Sequence, residues 1–336
     1  MHTSISPSVI SSCSPRPLGD FLPEVKDISG VDLFDLFVFR AKDITQMRRD
    51  NVISAGDSQP PTPTSILSDR RNLSPLADWV ARQVRESGVK ISALATYFPD
   101  ITSLSRTRQD RAIDALANSV RLASCLVKRG VMRSAIVEIV CGTILDPCEC
   151  ARCRDESRVF ISDQERKVKR LVEGLSKASQ QLSEGDGVSD YAIGVELEPG
   201  DTYVINNLAS MRTFFREIDL HHGLRDKTGL NLDVAHMRIV PVAAAELEEF
   251  RDRIVHAHIS DHPGMHTRDQ AVGAWTSVFQ VDGAYEPYIR LLADRAAGAG
   301  KSKLLFSNAI ALELEGCGKI HWVHDSLSSM RHLVTV

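Results

Sequence analysis

Four stretches in the second half of the chain each end in residues able to hold a metal ion. They read Val195-Glu196-Leu197-Glu198-Pro199, Leu230-Asn231-Leu232-Asp233-Val234-Ala235-His236, Val255-His256-Ala257-His258-Ile259-Ser260-Asp261 and Ala311-Leu312-Glu313-Leu314-Glu315-Gly316. Side chains two apart on a strand share a face. If Glu198, Asp233, His258 and Glu315 point inward at one end, then Glu196, Asn231, His256 and Glu313 point inward one layer deeper. The residues between them, Leu197, Leu232, Ala257 and Leu314, are apolar, as an outer face covered by helices requires. Burying several carboxylates costs several kcal/mol each unless a cation or hydrogen bonds compensate, and a divalent metal is the simplest compensation. Three carboxylates and one imidazole suit Mn²⁺ or Mg²⁺, with Co²⁺, Fe²⁺ or Zn²⁺ also admissible.

Two other groups of reactive residues are unevenly spread. Of 11 histidines, His2 is the only one before His221, and His262 and His266 fall in a Pro/Gly loop with Arg268, which could hold a substrate oxygen. His221-His222 reads as a cation at a helix end. Of the 7 cysteines, four crowd into one stretch, Cys141, Cys148, Cys150 and Cys153, thiols that could hold Zn²⁺ or an iron–sulfur cluster, or act as redox-sensitive thiols. Their spacing matches no standard finger or ferredoxin pattern, and Cys141 also falls at the end of an apolar strand-like run. Cys317 reads as a small residue at a tight strand end, and the sequon Asn72-Leu73-Ser74 as a helix start.

The elements that must position these residues alternate short apolar runs with amphipathic helices, the pattern of a parallel sheet. Strands are expected at Ser4–Ser12, Asp32–Phe39, Val89–Thr96, Ala135–Cys141, Ala192–Glu198, Asn231–Ala235, Ile254–Ser260 and Ile310–Glu315. Helices are punctuated by Ser74-Pro75 and Gly88, by Gly130, and by the capping sequence Ser162-Asp163-Gln164-Glu165. Others follow Asn207, Ala243 and Pro287, and a last one spans Ile320 to Leu333. Eight such units point to a single (β/α)8 TIM barrel domain over residues 1–336, with a cysteine-containing insertion at 142–161 after strand four. A doubly wound sheet is the alternative, but no glycine-rich turn follows the first strand, which leads into Cys13-Ser14-Pro15-Arg16-Pro17. The long connections 41–74, 142–162 and 261–286 would sit at the end of the barrel where active sites are built.

Bulk composition is that of a soluble globular protein, 43% hydrophobic and 25% charged. A net charge of -4 gives no electrostatic reason to expect nucleic acid or an anionic membrane. No basic n-region or long apolar segment opens the chain, so a reduced cytoplasmic protein is expected.

The run Glu198-Pro199, Leu232-Asp233-Val234-Ala235-His236, His258-Ile259-Ser260-Asp261 and Glu315 resembles the xylose isomerase-like TIM barrels, the sugar phosphate isomerase/epimerase superfamily. Gly88-Val89-Lys90-Ile91-Ser92-Ala93-Leu94 with Phe98-Pro99 is similar to that family's third strand. The resemblance covers about residues 70–316, and the first two strands lack a family motif. It implies one divalent cation on Glu198, Asp233, His258 and Glu315, with His236 facing a carbohydrate-like substrate. Such a metal polarises a carbonyl while Glu198 and Glu315, from two strands, remove and return the neighbouring proton. The expected reaction is isomerisation or epimerisation of a sugar, sugar phosphate or cyclitol; loss of a hydroxyl beta to the carbanion would make a dehydratase. A relative of another class, the multi-zinc apurinic endonuclease, needs early-strand histidines, and none lies between residues 3 and 220. A barrel that only senses metal or redox state through its thiol loop is the non-enzymatic alternative.

Overall fold

The structure is a computed structural model that describes residues 5–11, 16–27, 31–53, 62–147, 158–160, 163–186, 188–260, 285–298, 302–313, 323 and 326–327. Eight parallel strands run in the order β1-β8-β7-β6-β5-β4-β3-β2. They are β1 (Ser6–Val9), β2 (Leu33–Phe37), β3 (Lys90–Thr96), β4 (Ile136–Val140), β5 (Ala192–Glu196), β6 (Thr228–Asp233), β7 (Ile254–Ile259) and β8 (Ala309–Leu312). A parallel bridge from Ile10 to Asp35 joins β1 to β2, so the sheet is a nearly closed barrel and not an open doubly wound sheet.

Helices cover the outside, and their apolar stripes are those the sequence periodicity marks. Leu76, Trp79, Val80 and Val84 are buried along the helix Leu73–Ser87, which stops at Gly88 with φ 75°. That left-handed turn favours glycine. Gly130, φ 71°, follows the helix Arg106–Lys128 in the same way. Asp163 caps the helix Gln164–Asp186 by accepting from the Arg166 N–H at 2.9 Å. Asn207 forms a capping box with Ser210 at the start of Leu208–Asp219. The segment after Ala243 is a 3-10 helix, Ala244–Arg253, and Glu286–Ala297 carries a proline in its first turn. Of the helix expected over 320–333, only residues 323, 326 and 327 are described. Among the described residues no helix is long and apolar enough to cross a membrane.

Three strand ends fall short of expectation where it matters for the site, and β5 is one, ending at Glu196 and not Glu198. β6 runs Thr228–Asp233 and not Asn231–Ala235, because Asp233 turns the chain into the helix Val234–Ile239. Its Oδ1 accepts the His236 N–H at 2.8 Å, the N-cap bond that ends the strand. β8 ends at Leu312, leaving Glu313 as the first residue beyond the strand.

The long connection after β4 begins with an antiparallel ladder, Leu145–Pro147 on Arg158–Phe160. It is stitched to the barrel mouth by Thr102 Oγ1 donating to the Thr143 carbonyl at 2.7 Å and by a buried Lys167–Asp146 ion pair.

Candidate active site

The interior faces of β5 to β8 bring Glu196, Asp233, His258 and Glu313 together, with one donor atom from each within 4.8 Å of the others. The first three are buried and Glu313 half-buried. Each has a local reason to be there. Asp233 and His258 are register partners across β6 and β7, so both point inward at one level. Glu196 is level with Asn231, two residues below Asp233 on β6. A glutamate carries one more methylene than an aspartate, so its carboxylate reaches up to the level of Asp233 from this deeper start. Glu313 donates its backbone N–H to the Ile259 carbonyl at 3.0 Å, which seats it beside the end of β7. The His258 ring turns Nδ1 into the group, 2.9 Å from Glu313 Oε2 and 4.0 Å from Glu196 Oε1.

Three carboxylates around one imidazole is a donor set that calls for a cation, because mutual repulsion in a buried pocket is otherwise uncompensated. Burial pushes Glu196 above the ordinary carboxylate range against the pull of His236. At Glu313 burial is outweighed by the nearby His258, which holds its carboxyl below that range. Burial opposes the charge on His258, yet Glu138 and Glu313 outweigh it and raise the imidazole well above its usual value. The residues present therefore fit a divalent metal bound mainly through oxygen.

His236 and Glu198 form the pocket-facing side. The His236 Nδ1–H donates to the Leu197 carbonyl at 2.9 Å, so this nitrogen carries a proton and Nε2 looks into the pocket. Nε2 lies 3.9 Å from Glu198 Oε2, and Nδ1 lies 3.2 Å from Glu196 Oε1. Burial works against a charged His236, but Asp233, Glu198 and Glu196 together hold it well above its usual value. Glu198 is pushed well above the carboxylate range by burial, with His236 opposing.

The open pocket at this end has a volume of about 250 Å³. Glu196, Glu198, His236, His258 and Glu313 form its polar side, while Phe37, Tyr97 and Tyr203 form an aromatic lip. Its described lining residues include no lysine or arginine.

The structure thus separates residues that the sequence reading combined. Asp233 and His258 join the quartet, but on strand five the member is Glu196, while Glu198 stands beside His236. The reason is that β5 ends at Glu196 and strict alternation ends with it. Glu198 belongs to the departing loop, where its N–H bonds the Ile205 carbonyl at 2.9 Å. On strand eight Glu313 supplies the fourth group; Glu315 lies outside the described residues, as do Arg268, His262, His266, Cys148, Cys150, Cys153 and Cys317. Asn231 and His256 lie on the interior face below, with Asn231 Nδ2 3.3 Å from Glu196 Oε2 and 3.4 Å from His258 Nδ1. Cys141 is buried at the end of β4, receives the Ile205 N–H on its sulfur at 3.3 Å, and has its thiol pushed by burial up to about 12. It packs into the core just past the strand end, where burial favours the neutral thiol.

Two interior carboxylates escaped the sequence reading, Asp35 on β2 and Glu138 on β4. Both are buried and both approach His256 and His258. The signal was present: each is the single charged residue in an apolar strand, Leu33-Phe34-Asp35-Leu36-Phe37 and Ile136-Val137-Glu138-Ile139-Val140. A carboxylate there has to find a partner inside the barrel.

The profile of the xylose isomerase-like TIM barrel family matches residues 57–297. No curated protein sequence matches the chain. Among solved structures, the chain is similar to the IolI protein crystallised with a zinc atom, at 14% identity and TM-score 0.62 over 98% of both chains. It is similar to a D-tagatose 3-epimerase-like protein at 13% identity and TM-score 0.61, over 98% of this chain and 97% of the other. It is also similar to 3-keto-D-glucoside 4-epimerase from E. coli, at 14% identity and TM-score 0.58, over 99% and 100%. At such identities these likenesses speak for the fold alone, while the family match spans most of the chain. The protein belongs to the xylose isomerase-like TIM barrel family.

Proposed function

We propose that this protein is a divalent-metal-dependent isomerase or epimerase of a small keto-sugar or cyclitol, working by proton abstraction next to a carbonyl. The observation that carries the reading is the convergence of Glu196, Asp233, His258 and Glu313 at the mouth of the barrel, with His236 beside them in an open pocket. These four would hold the cation. Mn²⁺ and Mg²⁺ suit the oxygen-rich set, and the zinc of the IolI structure makes Zn²⁺ a third candidate. When bound, such a metal polarises a carbonyl oxygen and acidifies the adjacent C–H.

The chain's own groups supply the rest. Glu196 and Glu313 come from β5 and β8, three strands apart around the barrel, so they approach a substrate from different sides. One can take a proton from carbon and the other return one to the opposite face, which inverts or relocates the stereocentre. His236, locked by the Leu197 carbonyl, presents Nε2 to a substrate oxygen. The aromatic lip of Phe37, Tyr97 and Tyr203 offers an apolar wall for the C–H face of a ring. The similar structures, a D-tagatose 3-epimerase-like protein and 3-keto-D-glucoside 4-epimerase among them, support the same reaction class.

The test is NMR of ketoses, ketose phosphates and inososes in deuterated water with Mn²⁺ or Mg²⁺. The reading expects deuterium at the carbon next to the carbonyl, together with an isomerised or epimerised product. Turnover with neither exchange nor a change at that carbon contradicts it. Loss of water alongside exchange would assign the same site to a dehydratase.

A further inference from the structure

Below the quartet lies a second cluster: Asp35 from β2, Glu138 from β4, and His256 and His258 from β7, all buried, with donor atoms within 4.8 Å of one another. We propose that this cluster is a second divalent-cation site, of the zinc type, which shares the His258 ring with the quartet above. The proposal goes beyond the isomerase reading and does not depend on it.

The distances carry the argument. His256 Nε2 lies 2.7 Å from Asp35 Oδ2 and 3.4 Å from Glu138 Oε1. His258 Nε2 lies 2.8 Å from Glu138 Oε2 and 3.5 Å from Asp35 Oδ2. A tetrahedral zinc with bonds of about 2.0–2.2 Å separates its donors by about 3.3–3.6 Å. With Glu138 bound through Oε1, the His256–Glu138 and His258–Asp35 separations already fall at that spacing, and the 2.7 Å between His256 and Asp35 needs to open by under about 1 Å.

A purely hydrogen-bonded network leaves two atoms unexplained. Glu138 Oε1 and His258 Nε2 are both buried and make no hydrogen bond. His258 Nε2 is close to two carboxylate oxygens, but its ring direction is aligned with neither. Such orphaned groups are rare in folded proteins. One cation satisfies both at once, because the donor atoms of the four side chains lie within 4.8 Å of one another.

The remaining contacts aim the donors. Ser8 and Ser92 donate to Asp35 Oδ1 and leave Oδ2 for the cluster. Ser307 Oγ, 2.6 Å from His256 Nδ1, fixes that ring with Nε2 inward. Asn231 Nδ2 holds Glu138 Oε2 at 3.3 Å, which turns Oε1 toward His256. The His258 ring, with Nδ1 to the quartet and Nε2 to the deeper group, bridges two cations as an imidazolate, its second proton displaced by the deeper one. The N₂O₂ set is softer than the quartet and prefers Zn²⁺.

The experiment is a Zn²⁺ equilibrium dialysis with metal quantification on full-length chain in which Cys148, Cys150 and Cys153 are serine, so that the thiol cluster supplies no equivalent. The parent should saturate at two Zn²⁺ per chain, a measurement that needs no barrel variant. Asp35→Asn and Glu138→Gln, which keep size and hydrogen bonding, should each bind one. Glu196→Ala should also bind one, and Glu138→Gln with Glu196→Ala none. A parent that saturates at one equivalent which Glu138→Gln retains, or Asp35→Asn and Glu138→Gln chains that both keep two, overturns the second site. Retention of two by Glu196→Ala would instead count against the quartet and leave the deeper site standing.

Discussion

The ion pair of Lys167 and Asp146, at the base of the long connection after β4, allows a sharp stability prediction. The Lys167 side chain is 0% exposed and that of Asp146 11%. Besides Lys167, Asp146 accepts from Ser103 Oγ at 2.8 Å and the Leu104 N–H at 3.0 Å, while Lys167 Nζ also donates to the Thr102 carbonyl at 2.8 Å. The partners respond differently. Burial opposes the carboxylate, but Lys167 and Ser103 outweigh it and hold Asp146 below the ordinary range. At Lys167 burial wins over Asp146, and the ammonium is held below its usual value. The cation therefore depends on the pair more than the anion does. Asp146→Ala leaves an ammonium buried with a single carbonyl and should cost about 3–5 kcal/mol, the range for a buried pair broken from one side. Lys167→Met removes the charge that burial penalises, leaves Asp146 its two other donors, and should cost only about 1 kcal/mol. Because Asp146 has a depressed folded-state pKa, its contribution is full above the unfolded value near 3.8 and is lost as pH falls through the folded value. Urea denaturation followed by circular dichroism reads both effects. The Asp146→Ala penalty should be flat between about pH 5 and 8 and shrink only below about pH 4. A Lys167→Met penalty equal to that of Asp146→Ala at pH 7, or an Asp146→Ala penalty that persists unchanged in acid, would refute the reasoning.

Three further outcomes are expected. A Cβ at Gly229 on β6 would lie 2.1 Å from the Arg253 carbonyl and 2.6 Å from Val255, so Gly229→Ala should cost at least about 1–3 kcal/mol in urea titrations and weaken metal binding through Asp233 on the same strand. His236→Gln should keep the bound metal but slow α-hydrogen exchange, by about 10²-fold or more if its Nε2 serves the substrate oxygen; unchanged exchange rates by NMR would remove it from the pocket chemistry. Replacing Cys148, Cys150 and Cys153 together with serine should leave Mn²⁺ on the quartet, because hard oxygen donors and thiolates belong to separate sites; loss of that Mn²⁺ in metal analysis would show the two to be coupled.

Much of this architecture was legible because burial leaves a periodic trace. Asp233 and His258 could be placed from alternation alone, since Leu232 and Ala257 beside them must face the helices. The same rule puts Glu198 on that face with them, because alternation says which residues share a face and not where the strand stops. Glu196 is the last residue of β5, and Glu198 already belongs to a turn closed by the Ile205 carbonyl. The end of β6 was likewise read two residues late, since Asp233 serves at once as strand end and helix cap. Asp35 and Glu138 were missed for a different reason. Each stands alone in its strand, and only barrel closure brings β2 and β4 to face β7. That juxtaposition joins residues 221 positions apart, Asp35 and His256, which no local pattern encodes. Helix ends were clearer, because Gly88, Gly130 and Asn207 act within one turn of sequence.

The central claim is that Glu196, and not Glu198, completes the cation site with Asp233, His258 and Glu313. The most direct measurement is the Mn²⁺ content of Glu196→Ala and Glu198→Ala chains beside wild type, each shown to be folded by circular dichroism. The account predicts that Glu196→Ala binds one equivalent fewer than wild type, while Glu198→Ala binds the same number. Full Mn²⁺ content in Glu196→Ala, with an equivalent lost in Glu198→Ala, would contradict it.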